Sequence, residues 1–265
     1  MSLLKLRSRY RTIKSLNSIF SALQVVTIVR TKKVRDVYST MDRYVDPMRR
    51  VLDGRVERKK LDRKVLVVVT SNRGLCGGFN RNIIAKALDF VKQNPDAELV
   101  PLGKTGAKYF KNAVFSNLEA VEKPNFKKTA AALRRILALD AQIYIAYNAY
   151  RSALVQTPKL YRLYPVPEEL DNEKAPRDYI LEPEPASLLP EIFIHYLEAR
   201  FFQMVMDSQM GELSARFIVL KEAVDSSKDI CDDLAVAINK ARQANITREL
   251  LEVVSAAEAL RRDYE

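Results

Sequence analysis

Tryptophan is absent from this sequence of 265 residues, histidine occurs once and cysteine only twice. A single histidine, His195, excludes a histidine-based catalytic or metal-binding cluster. The two cysteines, Cys76 and Cys231, are too few and too far apart in sequence for a structural zinc site. Their scarcity indicates a reducing compartment, and we expect no metal site in this chain.

Glycine is also rare, with 7 residues, which favours a helix-dominated fold over an all-β one. Apolar residues make up 48% of the chain, which is enough for a packed core. Uninterrupted apolar runs such as Val65–Val69 fall far short of the roughly 18 residues that cross a bilayer. We therefore expect no signal peptide and no membrane span, and a protein that is soluble or peripheral to a membrane.

Residues 2–52 contain no glycine and one proline, Pro47, and their apolar residues recur at intervals of three and four. The series runs through Leu3, Leu6, Tyr10, Ile13, Leu16, Phe20 and Leu23 and resumes at Val34, Val37, Met41, Tyr44, Met48 and Val51. This spacing predicts one long amphipathic helix. Ser2 is its predicted N-cap, and Asp53-Gly54 is its predicted end.

The other end of the chain has no proline after Pro190 and a single glycine, Gly211. A helix of about 75 residues would be on the order of 110 Å long, too long to bury its apolar stripe within a domain of this size. The N-terminal helix can cover part of that stripe in an antiparallel coiled coil. The remainder requires another protein.

Between these ends, strand-like and helix-like segments alternate, which predicts a small parallel or mixed, Rossmann-like sheet with helices on its faces. The predicted strands are Lys64–Thr70, Glu98–Leu102, Gln142–Tyr147 and Leu154–Tyr161, and the predicted helices are Phe79–Lys92, Thr105–Asn112 and Asn125–Ala138. Tyr164–Pro185 is expected to be a linker or an extended edge. The predicted fold is thus mainly α with an inserted α/β domain: a helix over 1–60, the α/β domain over 61–184 and a second coiled-coil helix over 185–265.

The net charge of +11 is unevenly distributed. Residues 1–60 carry 16 basic and 5 acidic side chains, whereas residues 191–265 carry 9 and 14. Opposite charges suit two helices that lie side by side. A basic arm that binds nucleic acid is the alternative, weakened by the amphipathic pattern and by the absence of a recognisable binding motif.

Two glycine signals favour a different alternative, a nucleotide-binding α/β enzyme. The turn Gly74–Gly78 follows a strand, but Cys76 occupies the place of the second glycine of a dinucleotide loop. Gly103-Lys104-Thr105 ends like a phosphate-binding loop, but the glycine required five residues earlier is Glu98. A tightly packed turn explains the first signal better, and Cys76 has no neighbouring histidine to activate it. We expect no catalytic residue and no cofactor.

Several blocks resemble the gamma subunit of F-type ATP synthases. The segment Ser71–Asn80, Ser-Asn-Arg-Gly-Leu-Cys-Gly-Gly-Phe-Asn, resembles that family's Ser-Asp-Arg-Gly-Leu-Cys-Gly-Gly-Leu-Asn. Asn239–Ser255 is similar to the family's C-terminal signature, and Ser214-Ala215-Arg216 and Tyr147-Asn148 followed by Ser152 also match. These blocks occur in the family's order along the whole chain.

The resemblance implies a non-catalytic rotating shaft that couples a turning c-ring to conformational changes in the catalytic beta subunits. The implied partners are the alpha and beta subunits, the epsilon subunit and the c-ring, with no nucleic acid. Arg242, Gln243 and Thr247 match family positions that contact beta subunits. Leu23 and Arg216 match positions where the shaft meets the stator ring and influences coupling.

The sequence departs from the family pattern at two places. The usual Lys-Met-Val-Ala-Ala-Ala-Lys is replaced by the more apolar Gln24–Arg30, and the usual Ser-Gly-Ala-Ala-Ala by Ser255-Ala-Ala-Glu258-Ala with a charged tail. The paired cysteines of the chloroplast redox switch are missing, so no thiol regulation of that kind is expected. No leader precedes the family's usual start, which favours a bacterial complex at the cytoplasmic side of the inner membrane.

Overall fold

The computed structural model describes residues 2–52, 60–111, 125–166, 182 and 184–262, with side chains described up to residue 257. Its contacts divide the chain into two compact units. The terminal unit comprises Met1–Val26 and Leu220–Glu265, and the central unit comprises Thr27–Val219. The predicted domains, 1–60, 61–184 and 185–265, divide the chain by the order of its elements and not by contacts. These bounds stay a prediction.

Helix α1 spans Leu3–Leu52, as the apolar spacing predicts, with Pro47 inside it. The amide of Leu6 donates to the carbonyl oxygen of Ser2 at 3.2 Å, which fixes the start of the helix at the predicted cap. Asp53 and Gly54, the predicted end, lie outside the described residues.

The C-terminal helix begins at Pro185 and continues to Arg262, a length of 78 residues. Pro190, the last proline of the sequence, lies inside this helix. Proline at the first helical position is favoured since its fixed φ suits a helix and its missing N–H needs no partner there. Pro185 therefore starts the helix.

In the part of the sheet region that the structure describes, there are four strands and three helices. In chain order these are β1 Lys64–Val69, α2 Phe79–Gln93, β2 Glu98–Leu102, α3 Lys104–Tyr109, α4 Phe126–Leu137, β3 Gln142–Tyr150 and β4 Gln156–Tyr164, and the C-terminal helix is then α5. The strand order is β2-β1-β3-β4, parallel except for the antiparallel pair β3–β4. The prediction of a mainly α fold with a small mixed sheet is confirmed.

Alternate residues of β1 face opposite sides of the sheet, because successive side chains of a strand point to opposite faces. Leu66 and Val68 pack in one cluster with α2. Val65, Val67 and Val69 pack in the other with α4 and α5. The α5 segment of the central unit is therefore part of the core that holds the sheet.

Helices α1 and α5 run antiparallel within the central unit. Tyr38 meets Asp207 and Asp42 meets Gln203, so the α5 number falls as the α1 number rises. In the terminal unit, the Asn17 amide donates to the Val224 carbonyl oxygen at 2.9 Å. The antiparallel helix pair of the prediction is thus present.

Charge complementarity contributes less to this pairing than the sequence suggests. Among the described residues, the basic side chains of Lys5–Lys14 form no direct ion pair with the acidic side chains of Asp225–Asp233. Their attraction acts through solvent, where exposed charges stabilise little.

Among the described helices, α1 alone is long and apolar enough to cross a membrane by length and composition. Its best 18-residue window has a mean hydropathy of 1.3 and is 6% buried. This window reaches its mean hydropathy without a long unbroken apolar run, because the residues that interrupt the apolar ones are polar but uncharged. A single helix of this kind near the N-terminus is weak evidence for a membrane span.

Candidate functional site

The C-terminal part of α5 has no protein covering it. Every side chain from Arg242 to Ala257 is exposed, although the segment carries large apolar residues. Ile246 is 45% exposed, Leu250 and Leu251 are 61% exposed, and Val253 and Val254 are 67% and 53% exposed. Contiguous exposed apolar surface of this kind marks an interaction site.

The three residues matched to beta-subunit contacts lie on this exposed segment. Arg242 and Gln243 are exposed, and the Thr247 hydroxyl donates to the Gln243 carbonyl oxygen at 3.0 Å. Gln243, Thr247 and Leu251 are spaced by four residues and share one helix face. The segment thus offers a polar group, a cation and apolar side chains to a partner.

Leu23 lies in a second apolar surface, on α1. Residues 15–29 contain no charged residue, between the basic clusters of Lys5–Lys14 and Arg30–Arg35. Leu23 itself is 36% exposed, and the neighbouring Val25 is 60% exposed. Further exposed apolar side chains of α1 in the terminal unit are Leu16, Ile19 and Val26. At 100° per residue they point in several directions, so no single partner helix could cover them all.

Arg216 occupies a different environment from the other four predicted site residues. Its side chain is only 11% exposed and forms an ion pair at 2.7 Å with Glu212, one turn earlier on α5. The same guanidinium donates to the carbonyl oxygens of Arg73 at 3.1 Å and of Gly74 at 3.3 Å. Arg216 therefore fixes the loop between β1 and α2 to α5, whatever else it contacts in an assembly.

Burial raises the pKa of the Glu212 carboxyl, whereas Arg216, Arg30 and Arg73 act in the opposite direction. The family resemblance points to Arg216 but not to Glu212. A carboxylate four residues before an arginine on a helix is a recognisable pairing signal, and it would have identified the pair.

The loop between β1 and α2, which Arg216 contacts, also contains a hydrogen-bond network around Cys76. The Asn80 amide donates to the Ser71 hydroxyl oxygen at 2.7 Å and to the Cys76 sulfur at 3.2 Å. Burial raises the pKa of the Cys76 thiol, which favours its unreactive protonated form. Cys76 is a packed residue of the turn, in agreement with the sequence-based interpretation.

Glycine 103 is explained by packing against the end of β1. Its φ is +99°, and a Cβ atom at this position would lie 2.2 Å from the Thr70 carbonyl oxygen. Gly106 is similarly close to Thr70, whose hydroxyl oxygen accepts the Gly106 N–H at 2.9 Å. These glycines allow α3 to approach β1, so the phosphate-loop reading of Gly103-Lys104-Thr105 has no support in the geometry.

Asp207 and Tyr38 were not identified from the sequence. The Tyr38 hydroxyl donates to an Asp207 carboxylate oxygen at 3.0 Å, and the Tyr150 backbone N–H donates to the same atom at 3.2 Å. Desolvation by burial raises the pKa of both side chains, most strongly that of Tyr38. The available signal was an aspartate directly after Phe201–Met206, a stretch that is apolar except for Gln203.

A family model described as ATP synthase matches residues 2–260. Three similar solved chains come from mitochondrial ATP synthases.

One, from the Euglena gracilis OSCP/F1/c-ring structure, has a TM-score of 0.75 at 19% identity over 97% of this chain and 94% of that chain. Another, from the Euglena gracilis rotor, has a TM-score of 0.68 at 19% identity over 92% and 98%. The third, from the Tetrahymena thermophila central stalk and c-ring, has a TM-score of 0.61 at 20% identity over 77% and 99%. At these identities the similarity shows a common fold.

Proposed function

The chain belongs to the gamma-subunit family of F-type ATP synthases, and on that premise we propose that it is the rotating central shaft of such a complex. In this role it transmits rotation of the c-ring to the nucleotide sites of the beta subunits. The solved chains of the same fold come from rotor and central-stalk structures, which supports the assignment.

The exposed end of α5 is the observation that carries this proposal. Ile246, Leu250 and Val254 leave apolar surface on this helix exposed to water, and surface of this kind is typical of a site that a partner buries. A ring of alpha and beta subunits around the helix end supplies such a partner. A shaft also needs surface in several directions, as the exposed apolar side chains of residues 15–26 provide.

Arg242, Gln243 and Thr247 are the proposed beta-subunit contacts, and Leu23 is a proposed contact with the surrounding ring. Arg216 is proposed to influence coupling through the loop that it holds, since little of its side chain remains available to a partner. Such contacts drive a conformational change only if they differ between the states of the beta subunit.

Co-assembly tests the function directly. Mixing the purified chain with its cognate alpha and beta subunits should give one stable complex with ATPase activity, whereas the chain alone should hydrolyse no ATP, because the chemistry resides in the beta subunits. Failure to form this complex would remove the shaft assignment. Hydrolysis by the lone chain would contradict the non-catalytic role.

A double substitution tests the contact residues. Arg242→Ala with Gln243→Ala should lower torque or ATP synthesis while leaving the fold of the isolated chain intact, because both side chains are exposed. Lys86→Ala with Lys92→Ala, two exposed cations on α2, is the matched control. Equal ATP synthesis in both double variants would exclude the proposed contact.

The complex is peripheral to a membrane, and its epsilon subunit and c-ring are further proposed partners. The bacterial inner membrane stays a prediction; the similar solved chains are mitochondrial. Fractionation of source cells, with an antibody against the chain, decides between the two membranes.

A further inference from the structure

Within the central unit, one carboxylate joins three structural elements. Asp207 of α5 accepts the hydroxyl of Tyr38 from α1 and the backbone N–H of Tyr150 at the end of β3, both through Oδ1. The rings of Tyr38 and Tyr150 also meet edge to face, with centroids 6.2 Å apart. One carboxylate oxygen of Asp207 thus connects the helix pair to the sheet.

A second connection lies one turn away. The Gln203 amide donates to the Asp42 carboxylate at 2.5 Å, which again links α5 to α1. Its carbonyl oxygen accepts from Arg200, and the Arg200 guanidinium lies 5.0 Å over the ring of Tyr161 on β4. Asp42 follows Tyr38 by four residues, and Gln203 precedes Asp207 by four. The two connections are adjacent rungs, each running from α1 through α5 to the sheet.

The surroundings of these rungs are apolar. Phe201, Met204 and Val205 of α5 are fully buried and pack in the cluster that includes the sheet strands. Apolar burial holds these surfaces together, but the hydrophobic effect itself is non-directional. Hydrogen bonds weaken steeply as their angle departs from linear, so they resist rotation of the bonded groups.

We propose that the two rungs fix the rotational position of the α1–α5 pair on the sheet, and that Asp207 is the positioning residue through which torque passes between them. This inference rests on the proposed shaft function, in which force applied to one part of the subunit must reach another without slippage. Removal of a rung leaves the packing in place and makes the joint torsionally softer.

The torsional stiffness of this joint can be measured from the thermal angular fluctuation of a probe on the assembled complex. The alpha and beta subunits are immobilised, and an optical probe is attached through Lys92→Cys on α2 or through Lys33→Cys on α1, both exposed, in a Cys231→Ala background. Cys76 is buried and should not react. The angular variance of the stalled rotor reports the sheet in the first case and the helix in the second.

Asp207→Ala should raise the angular variance at Lys92→Cys by up to about twofold, because one of the two rungs is lost while the packing stays. The variance at Lys33→Cys and the ATPase rate should not change. Asp207→Asn should behave like the wild type, since its amide oxygen can accept the same two hydrogen bonds. Asp36→Ala, an exposed aspartate of α1, is the matched control.

Unchanged variance in Asp207→Ala, or an equal rise at both probe positions, overturns the proposal. If Asp207→Ala does not assemble, Tyr38→Phe removes the hydroxyl and keeps the ring contact, and it must show the same rise at Lys92→Cys. Unchanged variance in Tyr38→Phe likewise rejects the torsional role.

A distance measurement on the free chain tests this inference independently of the shaft assignment. With spin labels at Lys33→Cys and Lys92→Cys, the distribution of distances between them should broaden in Asp207→Ala and stay narrow in Asp207→Asn. If the wild-type chain does not assemble with alpha and beta subunits, the shaft function fails while this measurement still tests the joint. If it assembles and the distribution does not broaden, the joint alone is rejected.

Discussion

The Arg216 guanidinium lies 2.7 Å from the Glu212 carboxylate and also donates to the carbonyl oxygen of Gly74, so one largely buried side chain joins α5 to the loop after β1. The sequence resemblance places Arg216 at a contact between subunits, yet the described structure uses it inside the chain. If mutation of Arg216 impairs coupling, a stability measurement is therefore needed to show that the defect does not come from misfolding.

Arg216→Ala should lower the free energy of unfolding by about 3 kcal/mol, because it leaves the Glu212 carboxylate buried without its partner. Urea denaturation of the full chain measures this change. Arg81→Ala, which removes an exposed arginine of α2, should change stability by less than about 0.5 kcal/mol. Similar midpoints for the two variants would contradict the buried pair.

Gly103→Ala should lower the free energy of unfolding by at least about 3 kcal/mol. The added Cβ atom would sit at an unfavourable φ and too close to the Thr70 carbonyl oxygen. Gly74→Ala is its control, since a Cβ atom there would meet nothing within 4 Å. Denaturation midpoints of both variants provide the test, and a well-tolerated alanine at 103 would exclude the packing explanation.

The stability of Asp207→Asn relative to the wild type should increase as the pH rises. Burial raises the pKa of the Asp207 carboxyl above its ordinary value of 3.8, so the folded state holds this proton more tightly than the unfolded state. The wild type consequently loses stability as pH rises through the window between 3.8 and the raised pKa, whereas asparagine does not titrate.

Denaturation of both proteins at several values between about pH 4 and 7 gives this difference directly. Asp36→Asn, at an exposed aspartate of α1, is the control for loss of one negative charge. A difference between Asp207→Asn and wild type that stays flat or falls with rising pH would contradict the burial effect.

Leu250→Gln with Leu251→Gln should leave the thermal stability of the isolated chain within about 0.5 kcal/mol, because both side chains are exposed. The same change should weaken binding to the alpha and beta subunits. Leu234→Gln, at a position of the same helix that is 8% exposed, should instead destabilise the fold. Thermal unfolding and co-sedimentation separate the two effects, and undiminished binding by the double variant would exclude this surface.

Local pattern was sufficient to predict most elements of this fold. The spacing of three and four in residues 2–52 is a property of one helix, and the β-branched run in Lys64–Val69 is a property of one buried strand. Local pattern does not show that Pro190 lies inside α5, because proline inside a helix is accommodated only by the surrounding structure.

The candidate site was predictable only in part. Arg242 and Gln243 lie on an exposed segment, as a contact role requires, and that role came from resemblance. The joint between Tyr38 and Asp207 links residues far apart in sequence, and no local spacing predicts it. Arg216 needed the fold as well, because its partner carbonyls belong to a loop distant along the chain.

The uncovered apolar surfaces of α1 and α5 have a consequence for the cell. A newly made copy exposes the side chains around Val25 and Leu250 until other subunits enclose them, and such surfaces promote aggregation and recognition by chaperones and proteases. Unassembled copies should therefore be short-lived. The abundance of this subunit would then be set by the supply of its partners more than by its own rate of synthesis.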